Sequence, residues 1–250
     1  MAKTMKLLSL AAVLLALSSV AFAAGGGKKY EPSGIQPDNI PSLQRGAANF
    51  MNYCSGCHSA QYVRYSTIGK HLGISDELLI ENLMFNAEKP FETIQVSMPY
   101  EPAARWFGKA PPDLSLTARA KSADYIYAFL RSYYIDPDQP NGVNNTELVM
   151  TAMPHVLWEL QGFNKANFEE VQNEDGSVTE EFKGFEQVVP GKLTPEEYDE
   201  FVRDTVNFLA YIAEPVRSER RVIGVWVLIF LTVFLILAYL LKKEIWKDVK

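Results

Sequence analysis

The chain is poor in metal-binding side chains: two cysteines and three histidines occur in 250 residues. No second C-x-x-C and no H-x-x-x-H joins the single C-x-x-C, so a four-ligand zinc site has no basis. Basic charge is also short, 24 Lys and Arg against 30 Asp and Glu, which disfavours nucleic-acid binding. Few apolar runs alternate with a period of two, so little sheet is expected. There is no internal repeat and no long low-complexity run.

What is present is concentrated. Cys54-Ser55-Gly56-Cys57-His58 holds both cysteines in the pattern C-x-x-C-H, the attachment site of a c-type haem. Two thiols at this spacing can add to the two vinyl groups of one porphyrin, and the adjacent imidazole can reach the iron from the same side. The motif therefore predicts one haem c, held covalently through Cys54 and Cys57, with His58 as an axial metal ligand. A thiol–disulfide oxidoreductase using Cys54 and Cys57 is the rival from another class. It has no need of the following histidine and would carry no covalent haem.

The ends of the chain differ in kind. Lys3 and Lys6, an apolar stretch at 7–20 and Ala21-Phe22-Ala23 are the three parts of a secretory signal, predicting residues 1–23 as signal peptide. Export agrees with haem attachment outside the cytoplasm. Residues 222–241 contain no charge. At ~1.5 Å per residue that run is ~30 Å long, the hydrocarbon thickness of a bilayer. Arg217, Arg220 and Arg221 precede it, and Lys242, Lys243, Lys247 and Lys250 follow. That balance orients it weakly, but the signal places the bulk outside and leaves tail 242–250 in the cytoplasm. Trp226, Tyr239 and Trp246 lie near the two expected interfaces.

Residues 24–221 remain, 198 residues with 18 basic and 28 acidic side chains, enough for one domain. An acidic surface can steer a basic partner, although acidity also simply keeps a domain soluble. Periodicity and caps predict helices over 42–53, from an N-cap at Ser75 to 86, and from an N-cap at Ser122 over 123–134. Thr194-Pro195-Glu196-Glu197 is a capping box opening a further helix, with Tyr198, Phe201, Val202, Thr205, Phe208, Leu209 and Ile212 on one face. Pro215 should kink it before the span. Residues 136–151 read as loop. Residues 164–191, rich in Glu, read as a hairpin or exposed loop and as an acidic docking patch.

An electron-transfer haem usually takes a second protein ligand, and a thioether favours the reduced iron. Met84 falls on a helical face and reads as core. Met150 closes the long loop. Met98-Pro99 and Met153-Pro154 each place a rigid, extended backbone behind the sulfur, and by spacing the two are rivals. His155 is a third competitor.

The stretch from Arg45-Gly46 through Tyr53-Cys54-Ser55-Gly56-Cys57-His58-Ser59 to Tyr62-Val63-Arg64-Tyr65 resembles the cytochrome c1 family, the haem subunits of the ubiquinol–cytochrome c oxidoreductases. Ala110-Pro111-Pro112-Asp113-Leu114-Ser115, Asp124-Tyr125 at the expected spacing, and a single C-terminal span with a basic tail carry the same resemblance. It implies Met153 as the distal metal ligand beside His58. It implies Pro111 and Pro112 packed on the haem, Tyr125 against its edge or a propionate, and Arg119 and Lys121 near a propionate. Lys121 stands where an arginine is often found, which removes a bidentate contact. His155-Val156-Leu157-Trp158 departs from the more proline-rich run that follows the methionine in the family.

The expected fold is mostly α: a cytochrome c-like haem domain with long loops plus one C-terminal transmembrane helix. The resemblance implies a subunit, not catalytic alone, that carries single electrons from the Rieske iron–sulfur protein to a soluble or tethered cytochrome c, with cytochrome b as the other partner. Its haem domain would lie in the periplasm of a bacterial inner membrane. A membrane-anchored cytochrome feeding a terminal oxidase is the alternative within electron transfer. A haem-based sensor is a further one, with an open sixth position.

Overall fold

A computed structural model describes residues 28–172 and 176–248. The expected signal peptide lies outside the described residues. The chain divides after Glu31, and residues 28–31 have no regular structure. From Pro32 onward the elements run α1 (Ile40–Tyr53), β1 (Ala60–Arg64), α2 (Tyr65–Leu72), α3 (Asp76–Asn82), β2 (Thr93–Ile94), α4 (Tyr100–Phe107), α5 (Thr117–Lys121), α6 (Ala123–Arg131), β3 (Tyr133–Ile135), β4 (Val143–Asn145), α7 (Trp158–Gln161), β5 (Gly162–Gln172), β6 (Val178–Pro190), α8 (Pro195–Ala213) and α9 (Arg217–Ile245). Among the described residues the strands pair only as three antiparallel two-stranded sheets, β1–β2, β3–β4 and β5–β6, so the fold is mostly α, as expected.

Helix α1 starts because the Asn39 side chain accepts from the Ser42 N–H and Pro41 pre-sets the first turn. Its apolar stripe buries Leu43, Ala47 and Phe50. Helix α8 opens with the expected capping box: the Glu197 N–H donates to Thr194 Oγ1 at 3.3 Å, and the Thr194 N–H donates to Glu197 Oε2 at 2.9 Å. The two helices cross closely at Gly46, where a Cβ would collide with the Asp204 carbonyl. Phe50 meets Phe208 with ring centroids 5.7 Å apart. Each such fully buried aromatic or aliphatic side chain is worth roughly 1.5–3 kcal/mol, so this crossing anchors the core. A polar stitch runs along it: Asp204 accepts from Ser42 Oγ at 2.6 Å and Arg45 Nε at 2.5 Å.

Several boundaries differ from the sequence reading. Helix α3 stops at Asn82, not 86, because the N–H groups of Leu83 and Met84 both turn back to the Leu79 carbonyl. Helix α6 stops at Arg131, not 134. Ser132 Oγ donates to the Ala128 carbonyl, and the next three residues become β3, paired with β4. The stretch 136–151 is thus not all loop. Strands β5 and β6 pair as the two arms of a long hairpin, with register shifts at Phe163/Asn164 and Asn167/Phe168. Helix α8 does not kink at Pro215 but ends at Ala213, and α9 starts afresh at Arg217. Helix α9 contains the charge-free run, is long and apolar enough to cross a membrane, and buries none of its most apolar window.

Candidate functional site

Helix α1 delivers the C-x-x-C-H motif at its C-terminus. Cys54 and Ser55 N–H groups still bond the Phe50 carbonyl, whereas the N–H groups of Cys57 and His58 both return to the Cys54 carbonyl at 3.0 and 2.8 Å. The motif is therefore a tight turn that carries both sulfurs and the imidazole. The two thiols are not bonded to each other. Burial, then the charge of Cys57, pushes the Cys54 thiol up to about 12, and burial raises Cys57 as well. Reactive dithiols need the opposite shift, which argues against the thiol–disulfide reading.

The imidazole of His58 is buried. Its Nδ1 lies 2.7 Å from the Pro112 carbonyl. A carbonyl only accepts, so Nδ1 carries the proton and Nε2 keeps a bare lone pair. Burial holds the imidazole below its ordinary pKa, the Pro112 bond opposing this, so it is neutral at neutral pH. Asp113 is what places Pro112 there. Its carboxylate accepts from Ser59 Oγ at 2.6 Å, from the Gln61 N–H at 2.9 Å and from the Ser115 N–H at 2.9 Å. The Leu114 N–H also bonds the Ser59 carbonyl at 2.8 Å. The Pro-Pro-Asp-Leu-Ser segment is thus stapled to the chain just after His58.

The candidate sixth ligands separate by packing. Met84 is buried in the core, just past the end of α3. Met150 is 75 % exposed, with φ at 59°. Met153 is half-buried and packs against the core cluster, together with Cys54, Leu114, Tyr125 and Phe129. Met98 is half-buried but is not among the described residues that pack there. His155 is buried, and its Nε2–H donates to the Gly162 carbonyl at 3.3 Å. His71, on α2, pairs its Nδ1 with the Tyr211 hydroxyl.

Of the remaining residues singled out in the sequence, Pro111 is half-buried and Pro112 exposed. Tyr125 is half-buried and stacks on Phe129, with centroids 6.1 Å apart. Arg119 is mostly exposed and lies 4.0 Å from Glu214, in the turn between α8 and α9. Lys121 is exposed. Thus Cys54, Tyr125 and Met153 each pack against the core, while Arg119 lies near Glu214, ahead of the apolar helix. The sequence reading missed the carbonyl role of Pro112 and the staple at Asp113. No local pattern marks any of them.

The Cytochrome C1 family model matches residues 35–249. The chain belongs to the cytochrome c1 family. It is 47% identical over 245 residues to cytochrome c1 of Allochromatium vinosum, covering 98% of this chain and all of that protein. It is 39% identical over 242 residues to the ammonia monooxygenase gamma subunit of Nitrosomonas europaea, covering 96% and 97% of the two chains. Cytochrome c1 of Rhodospirillum rubrum is 29% identical over 279 residues, with 96% of each chain covered. The family is one of membrane-anchored c-type haem proteins, and Cys54, Cys57 and His58 form its attachment motif in this chain. The donor set fits that group: two unpaired sulfurs on one turn and a neutral imidazole whose second nitrogen is already engaged.

Proposed function

We propose that this chain is the c-type cytochrome of a ubiquinol–cytochrome c reductase, taking single electrons from the Rieske iron–sulfur protein and passing them to a soluble or tethered cytochrome c. The observation that carries the reading is the turn at the end of α1, set in a chain that matches the family over nearly its whole length. When bound, haem c supplies a one-electron couple at iron. Cys54 and Cys57 would hold it covalently, and His58 Nε2 and the Met153 sulfur would ligate its iron. The carbonyl of Pro112 orients the imidazole and raises its basicity. Pro111, Pro112 and Tyr125 would form apolar walls that exclude water and so disfavour the more highly charged ferric state. Arg119 and Lys121 would meet the propionates, Arg119 shared with Glu214.

Residues 1–23 are proposed as a signal peptide, 24–221 as the haem domain in the periplasm, 222–241 as the span through a bacterial inner membrane and 242–250 as a cytoplasmic tail. Cytochrome b would share the membrane with α9. The acidic residues of the β5–β6 hairpin would favour a basic electron acceptor.

The test is a reduced-minus-oxidised visible spectrum of the detergent-solubilised complex, purified through a tag on this chain. Covalent c-type haem together with b-type haems, both reduced by quinol, is the expected result. A c-type signal without b haems, or with an oxygen-reducing centre, discards the complex. Absence of covalent haem sinks the reading altogether.

A further inference from the structure

Tyr133 is 2 % exposed, in the first position of β3, and neither its chemistry nor its place belongs to the attachment motif. Its hydroxyl donates to the Met153 carbonyl at 3.1 Å. Its ring lies flat on His155, with centroids 4.8 Å apart and planes 5° from parallel. One side chain therefore holds the loop at two alternate residues, 153 and 155. Phe129 meets the same ring edge-on at 5.5 Å and in turn stacks on Tyr125, so the ring cannot slide within its strand.

The rest of this loop is tied from β4. The Asn144 side chain accepts from the Met150 N–H at 2.9 Å, and Asn145 Oδ1 accepts from the N–H groups of Glu147 and Leu148 at 2.8 and 3.2 Å. Those bonds fix the approach to Met153 but not Met153 itself. Only the phenol reaches the methionine's own peptide group among the bonds described for it.

We infer that Tyr133 is a positioning residue: its phenol sets where the sulfur of Met153 sits, and thereby the strength of the sulfur–iron bond and the potential of the couple. This rests on the reading of Met153 as the distal ligand. A thioether is a weak, neutral donor on a flexible side chain, so its bond to iron depends on how rigidly the backbone behind it is held. Outer groups that orient a ligand tune a metal site in this way. Replacing the phenol by a phenyl ring leaves the packing on His155 and Phe129 but deprives the Met153 carbonyl of its partner.

The experiment compares Tyr133→Phe with the native full-length chain in its detergent-solubilised complex. Covalent haem content is expected to be unchanged. The near-infrared sulfur-to-ferric-iron band should weaken, the midpoint potential fall, and carbon monoxide bind a fraction of the ferrous protein that the native protein excludes. Tyr198→Phe is the control for general loosening, because it deletes another buried phenol-to-carbonyl bond, to Leu130 at 2.8 Å. It should leave band and potential native. Native values for all three readouts in Tyr133→Phe, or equal changes in Tyr198→Phe, overturn the inference. Met153→Ala separates the two levels: if it keeps the native band, the ligand itself is wrong. If it loses the band while Tyr133→Phe does not, only the role of Tyr133 falls.

Discussion

The Nδ1–H of His58 donates to the carbonyl of Pro112 at 2.7 Å, joining residues 54 positions apart. This single bond determines which imidazole nitrogen is left for iron. Its geometry depends on Asp113, so Asp113 is the first place to test. Asp113→Asn keeps the size of the side chain but weakens the charge-assisted bonds from Ser59, Gln61 and Ser115. A loss of about 1 kcal/mol in denaturant unfolding is expected, since bonds to a charged group are strong but this carboxylate is partly screened by solvent.

The same group gives a pH dependence of defined sign. Burial alone would raise the Asp113 carboxyl, but the bonds from Ser115, Ser59 and the Gln61 backbone outweigh it and hold the group below its ordinary value. A depressed carboxyl contributes stability above its unfolded pKa of ~3.9 and loses it as pH falls through the folded one. Thermal unfolding of the native protein should therefore weaken more steeply below about pH 4 than that of Asp113→Asn. Parallel acid limbs in the two proteins would remove Asp113 as the cause.

Met153→Ala is expected to keep haem covalently attached while the midpoint potential falls, because the thioether that favours reduced iron is gone. Redox titration of the complex decides it, and an unchanged potential moves the ligand to Met98 or His155. Cys57→Ser should block normal maturation, seen as loss of haem staining on a denaturing gel.

Gly46→Ala weighs two opposite effects. In an isolated helix the change would gain about 1 kcal/mol. Here the new Cβ meets the Asp204 carbonyl and the Phe208 Cβ, both held by the α1–α8 crossing, and overpacking of a closed core costs about 1–3 kcal/mol. Net destabilisation should appear in thermal unfolding. A gain in stability would show that the helices can separate cheaply.

Removing residues 217–250 deletes α9, none of whose described side chains belongs to the buried core. The shortened chain should leave the membrane fraction and remain in solution without detergent, read by sedimentation after export. Retention in the membrane would mean that another part of the chain binds the bilayer or its partners.

The start of α8 was legible because a capping box and a proline at the first helical position act within four residues. The C-x-x-C-H turn was legible for the same reason, and the apolar span because its composition alone, without any partner segment, marks it. Boundaries were less so. Arg131 ends α6 because Tyr133 to Ile135 pair with a strand eight to twelve residues away, and helical periodicity in 123–134 holds no trace of that partner. The pairing of β5 with β6 escaped firm reading because the described aromatic and acidic residues of the two strands are mostly exposed, which leaves no clean two-residue alternation.

What the sequence determined by itself is what lies in local spacing: two thiols and an imidazole on one turn, helix caps, and a run of apolar residues as long as a bilayer is thick. What only the tertiary structure decided is what joins distant segments. It put Met153 against the core that Cys54 also lines, aimed the Pro112 carbonyl at His58, and brought Tyr133 to the Met153 loop. The physical reason is that caps and periodicity are written in residues a turn apart. A hydrogen bond between residues 20 or 54 positions apart exists only after hydrophobic burial has fixed the path of the chain between them.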